Sequence, residues 1–130
     1  MSTIFSKIIS GKIPSYKIAE NKNFLAFLDV YPLVEGHTLV IPKKEIDNVF
    51  DIDDKLFTEY NLFAKKIAIA IGKAIDCQRV GSAVVGLEIP HAHIHIVPLN
   101  SMDDINFTRA KLKFTKEEFE KTVEKIKAYL

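Results

Sequence analysis

Residues 79 to 97 read Arg79-Val80-Gly81-Ser82-Ala83-Val84-Val85-Gly86-Leu87-Glu88-Ile89-Pro90-His91-Ala92-His93-Ile94-His95-Ile96-Val97. Two strands are predicted here, Arg79 to Val85 and Ala92 to Val97, separated by Gly86 to Pro90. Alternate residues of a strand face opposite sides, so Ala92, Ile94 and Ile96 turn to a core while His91, His93 and His95 line up on the other face.

Upstream, Ser2 to Ile9 reads as a short helix capped by Ser2 or Thr3, closed by Gly11 and Pro14. Tyr16 to Ala19 and Phe24 to Val30 form a hairpin about the Asn21-Lys22-Asn23 turn, and His37 to Ile41 is a third strand ended by Pro42. Asp53 to Ile75 is the long helix, with Leu56, Tyr60, Phe63, Ile67 and Ile71 in one stripe. Asp53 caps it, Ile52 and Phe57 sit at staple spacing, and Gly72 weakens its last turn. Asn100 to Phe114 reads as loop. A C-terminal helix starts at Thr115, with Glu118 completing a capping box and Phe114 and Phe119 a staple. The order predicts an α+β fold with an antiparallel sheet of about five strands, since short turns cannot join parallel neighbours.

The chain has 130 residues, room for one domain over 1–130 with one ordinary core. Its 48% apolar and 27% charged content excludes disorder. With 18 Lys+Arg against 17 Asp+Glu the charge is +1, so no nucleic acid partner is expected. No apolar run suits a membrane span or a signal peptide, and the single cysteine, Cys77, cannot form an internal disulfide. A cytoplasmic protein with no membrane association is expected.

Three readings compete for the histidine row. Three exposed rings on a solvated sheet face is the plainest. A zinc site is the second, but His91 and His95 stand about 13 Å apart in an extended strand at ~3.3 Å per residue, whereas zinc holds nitrogen at about 2.0–2.1 Å. Two of the three with His37 remain a possible chelate. Phosphorus chemistry is the third: a neutral imidazole attacks phosphorus while its neighbours manage protons and charge.

The run His91-Ala92-His93-Ile94-His95-Ile96-Val97 resembles the signature of the histidine triad, or HIT, superfamily. Ile4 to Ile9 through Ile13-Pro14, Phe24 to Asp29, and Gly36 to Lys44 are similar to its Hint-like branch in order and spacing, so the likeness runs from residue 4 to 99. It implies a HIT-like fold with one long central helix and a C-terminal helix. It also implies a nucleotide-binding hydrolase or transferase that cleaves a nucleoside phosphoramidate or dinucleoside polyphosphate at the α-phosphorus. In that likeness His93 is the nucleophile that forms a nucleotidyl-histidine, His95 donates to the phosphate oxygen, His91 stands by the leaving group, and His37 lies behind the triad. Asp29 corresponds to the ribose-binding aspartate, while Phe5, Ile8, Phe27 and Val30 correspond to the base pocket. A carboxylate suits a cis-diol, and flat apolar walls suit a purine.

The likeness further implies a homodimer acting on a purine nucleotide without a cofactor. Its zinc-bearing members have cysteines and a histidine where this chain has Thr3, Ser6 and Glu45, so no metal is expected. The departure lies before the triad. Val84-Val85 run straight into Gly86-Leu87-Glu88-Ile89-Pro90, with Leu87 in place of a glutamine and Glu88 in place of a hydroxyl. Glu88 is therefore a candidate leaving-group selector. A nucleotide sensor with little turnover and a zinc-histidine protein are the alternative functions.

Overall fold

The computed structural model describes residues 3–130. The elements are α1 (Ile4–Ile9), β1 (Lys17–Glu20), β2 (Phe24–Leu28), β3 (Thr38–Pro42), α2 (Asp54–Ala74), β4 (Arg79–Ala83), β5 (Ile94–Leu99) and α3 (Lys116–Lys127). Short 3-10 helices occupy Val49–Asp51 and Met102–Ile105, the latter inside a stretch expected to be loop. The strands form one antiparallel sheet in the order β1-β2-β3-β5-β4, so the histidine strand is interior and β4 is an edge.

The caps form as their residue types dictate. Thr3 and Ser6 make a reciprocal capping box on α1; Ser2, the other candidate cap, lies outside the described residues. Asp53 accepts the Leu56 amide at 3.0 Å, and α2 runs past Gly72 to Ala74. Tyr60, Ile67 and Ile71 are buried, and the Tyr60 hydroxyl donates to the Val40 carbonyl at 2.6 Å, tying α2 to β3. Thr115 and Glu118 box the start of α3.

Both faces of the sheet are covered. On one, Phe24, Ala26 and Leu28 of β2, Val40 of β3, and Ile94 and Ile96 of β5 pack with the buried stripes of α2 and α3. On the other, Leu25, Phe27, Leu39 and Ile41 pack beneath Phe5 and Ile8 of α1. β2 and β3 are thus apolar on both parities because both faces are buried.

β1 and β3 are each shifted by one residue from expectation and β5 runs on to Leu99, while three other strand limits move for local reasons. β2 stops at Leu28 because Asp29 turns back to accept the Tyr31 amide at 2.9 Å, which leaves Val30 half-exposed. β5 starts at Ile94, not Ala92: the Ala92 amide bonds the Ile46 carbonyl, and His93 Nδ1 bonds the His91 carbonyl at 2.8 Å, folding the lead-in locally. With no ladder opposite them, Val84 and Val85 fall outside β4.

Gly36, just before His37, has φ +92°, and a Cβ there would stand 3.0 Å from Ile75 Cγ1 and 3.3 Å from Pro98 Cγ. Left-handed strain and crowding combine, so Gly36→Ala is expected to lower stability by about 1–3 kcal/mol. Urea unfolding measures it. A shift of a few tenths would show that the turn relaxes.

Candidate active site

The triad is not a solvated row. His91, His93 and His95 are 0%, 7% and 9% exposed, and His37 is 1% exposed, because α1 and the segment after β5 close over them. Phe5 presents its ring edge-on to His91 at 5.7 Å and to His93 at 5.0 Å between centroids. Phe107 does so to His95 at 4.6 Å. The surface-histidine reading fails on this burial.

Hydrogen bonding then dictates each neutral ring's tautomer, since a carbonyl only accepts and an amide N–H only donates. His91 Nε2 lies 2.8 Å from the Pro42 carbonyl, so that nitrogen carries the hydrogen. His91 Nδ1 accepts from the Thr3 hydroxyl at 3.1 Å. Both nitrogens of this sealed ring are thus engaged. His93 Nδ1 donates to the His91 carbonyl at 2.8 Å, leaving the lone pair on Nε2.

A second chain starts at the Leu33 amide, which donates to His37 Nδ1 at 3.0 Å. His37 Nε2 must then carry its hydrogen, which it gives to His95 Nδ1 at 2.9 Å. That leaves the hydrogen of His95 on Nε2. Among the described residues, Nε2 of His93 and Nε2 of His95 have no hydrogen-bond partner, yet neither is a sealed atom. The cluster thus presents one nucleophilic nitrogen and one N–H donor on rings 4.9 Å apart.

The electrostatics keep His37 and His95 neutral. Burial first, then His95, Lys111 and His93, hold the pKa of His37 down to about 3. Burial, then His93 and Lys111, hold that of His95 down to about 4. Burial pushes the Asp29 carboxyl up, against the lowering effects of the Tyr31 amide, His93 and Lys111.

Asp29, His37 and His95 each bring a potential metal-ligating atom within 4.8 Å of the others. They fit an ion poorly. With the Leu33 amide on Nδ1, a neutral His37 keeps a proton on Nε2, and the 2.9 Å separation from His95 is a hydrogen bond. Asp29 Oδ2 stands 3.6 Å from the same Nε2. A cation there would have to displace that proton.

The other candidates are placed as follows. Phe5, Ile8 and Phe27 are buried together, with Phe5 and Phe27 edge-on at 5.8 Å, while Val30 lies outside that cluster. Glu88 is exposed in the 84–90 loop, with no hydrogen bond or ion pair among the described residues. A cleft of about 440 Å³ opens beside His93, lined among others by Phe50, Phe57, Asn61, Val84 and Val85. Sequence reasoning missed Thr3 as a partner of His91, the Leu33 amide, Phe107 and Lys111. Phe107 and Lys111 had only a faint signal, an aromatic and a cation in a polar loop shortly after the triad.

A sheet carrying three near-buried histidines, backed by a fourth that sets a tautomer, defines a histidine-triad protein. A family model described as the HIT domain matches residues 10–102. The chain belongs to the HIT family. It is 38% identical over 124 residues to an uncharacterized HIT-like protein of Borreliella burgdorferi, covering 89% of each chain. It is 39% identical over 98 residues to adenosine 5'-monophosphoramidase of Saccharomyces cerevisiae, covering 73% of this chain and 61% of that protein. A HIT-like protein of Bartonella henselae, described as involved in cell-cycle regulation, superposes with TM-score 0.85 at 30% identity, over 99% of this chain and 97% of the other. No helix among the described residues is long and apolar enough to cross a membrane.

Proposed function

We propose that this protein is a Hint-like hydrolase or transferase that cleaves a purine nucleoside phosphoramidate, or a dinucleoside polyphosphate, at the α-phosphorus. The observation carrying this reading is the tautomer pair: a free lone pair on His93 Nε2 beside an N–H on His95 Nε2. His93 Nε2 attacks phosphorus, forming a P–N bond as the bond to the leaving amine or phosphate breaks. That group leaves with the bonding electron pair and takes up a proton from solvent, which is returned when the attacking water gives up one of its own. His95 donates to a phosphoryl oxygen as charge gathers there. Water then attacks the same phosphorus, releasing the nucleoside monophosphate and returning His93 to its neutral form. His91 serves through its carbonyl, which aims His93.

The kinship to an adenosine 5'-monophosphoramidase supports the amine leaving group. Asp29 supplies the carboxylate for the ribose diol, and the wall of Phe5, Ile8 and Phe27, together with half-exposed Val30 beyond the end of β2, takes the base. A cytoplasmic homodimer fits the same reading. β4 is a sheet edge, and exposed Phe50 lines the cleft beside Val84 and Val85, surface that a second copy would cover.

The experiment is turnover of an adenosine phosphoramidate and of a diadenosine polyphosphate, with acid-quenched protein weighed for a nucleotidyl adduct. Turnover with an adduct on His93, unchanged by chelator, is expected. Tight nucleotide binding without turnover would make the protein a sensor. Activity lost with stoichiometric zinc would restore a metal mechanism.

A further inference from the structure

The segment after β5 is absent from the roles just given, yet it grips the main chain that orders the histidines. The Pro32–Leu33 peptide unit carries the Pro32 carbonyl and the Leu33 amide. The amide donates to His37 Nδ1 at 3.0 Å, and the carbonyl accepts the Leu112 amide at 2.8 Å. The next carbonyl, that of fully buried Leu33, accepts from Arg109 Nη2. Arg109 is itself held: its Nη1 donates to the Asp103 carbonyl at 2.9 Å and to Asp103 Oδ2 at 3.0 Å, with Asp104 Oδ1 at 3.5 Å. Asp104 Oδ2 in turn accepts the Asn100 and Ser101 amides at 2.7 and 3.0 Å, anchoring the cluster to the end of β5.

We propose that the segment from Met102 to Leu112 is a positioning strap, in which Arg109 and the Leu112 amide clamp the Pro32–Leu33 unit and thereby keep the hydrogen of His95 on Nε2. This inference rests on the reading of His95 as the phosphate donor. The physical reason is a two-state peptide. If the unit turned over, the Pro32 carbonyl would face His37 Nδ1 and demand a hydrogen there. His37 Nε2 would then accept, the hydrogen of His95 would move to Nδ1, and Nε2 would meet phosphate with a lone pair. Pro32 has no amide of its own, so no neighbouring donor on that residue could take over. The exposed Arg109–Asp103 pair adds little stability by itself. The contact to a buried carbonyl gives the arginine a directional role, because its planar fork reaches Asp103 and Leu33 from different nitrogens.

The test uses the full chain and two variants, Arg109→Gln and Leu112→Pro, the second removing the clamping amide. Ring-nitrogen NMR shifts of His37 and His95 report the tautomers without any substrate. Both variants are expected to move His95 from pure Nε2–H to a mixture. For Arg109→Gln, kcat should drop about 10- to 100-fold with KM within about twofold, the pattern of a group acting only in the transition state. Arg109→Lys should recover part of the loss. Unchanged His95 signals in both variants, with only a lower melting temperature, would overturn the strap. Shifts that respond as stated in a protein that turns over neither substrate would uphold the strap and overturn the catalytic reading instead.

Discussion

His93→Ala is expected to lose turnover by at least about a thousandfold while binding a nucleoside monophosphate within a few-fold of the parent. The asymmetry follows from where the groups lie. In the proposed mechanism the attacking nitrogen belongs to His93 alone, whereas the ribose carboxylate is assigned to Asp29 and the apolar wall to Phe5, Ile8 and Phe27. His95 cannot substitute, because the bond from His37 ties up its Nδ1 and its Nε2 carries the hydrogen. The ring of His93 also packs against Phe5 at 5.0 Å, so truncation leaves a hole. His93→Gln, which keeps most of the volume, separates lost chemistry from lost packing and should be equally inactive. Near-normal turnover by either variant would end the proposed mechanism.

Acid should destabilise the fold well before its ordinary carboxylates titrate. In the unfolded chain the two imidazoles of His37 and His95 titrate near 6.5; folded, they do so at about 3 and about 4. Between those limits the unfolded state binds protons that the native state refuses. Their contribution is therefore fully present above pH ~6.5 and drains away as pH falls. At pH 5 each ring accounts for about 2 kcal/mol, from roughly 1.4 kcal/mol per pH unit. Asp29 opposes this, because its raised carboxyl pKa makes the folded state take up a proton first. A net loss of about 2–4 kcal/mol between pH 7 and pH 5 is expected from urea unfolding. His37→Asn should flatten that slope whatever it does to stability at neutral pH. A parent curve that is level across the interval would contradict the burial of neutral rings.

Much of the architecture was legible in local pattern. The helix stripe, the Asp53 and Thr115 caps and the apolar runs of β2 and β3 depend on neighbours a few residues away. The caps formed as read, Tyr60, Ile67 and Ile71 of the stripe are buried while Leu56 and Phe63 are partly so, and the two strands formed with shifted ends. The alternation of Ala92, Ile94 and Ile96 likewise gave one core-facing side of the histidine strand. Strand ends were less legible, because Asp29 and His93 close local turns that a propensity reading does not register.

By itself, then, the sequence determined the α+β class, the antiparallel pairing, the family likeness and the alignment of three histidines, all matters of short-range periodicity and spacing. Tertiary structure alone decided which ring nitrogens are free and which are engaged. That depends on what occupies the opposite nitrogen, and the partners come from distant chain: Thr3 to His91 across 88 positions, His37 to His95 across 58, Arg109 to Leu33 across 76. The covering of the histidines by Phe5 and Phe107 is of the same kind. Periodicity places a ring on a face of the sheet, but a proton's position on that ring is set by donors and acceptors that only folding brings within 3 Å or so.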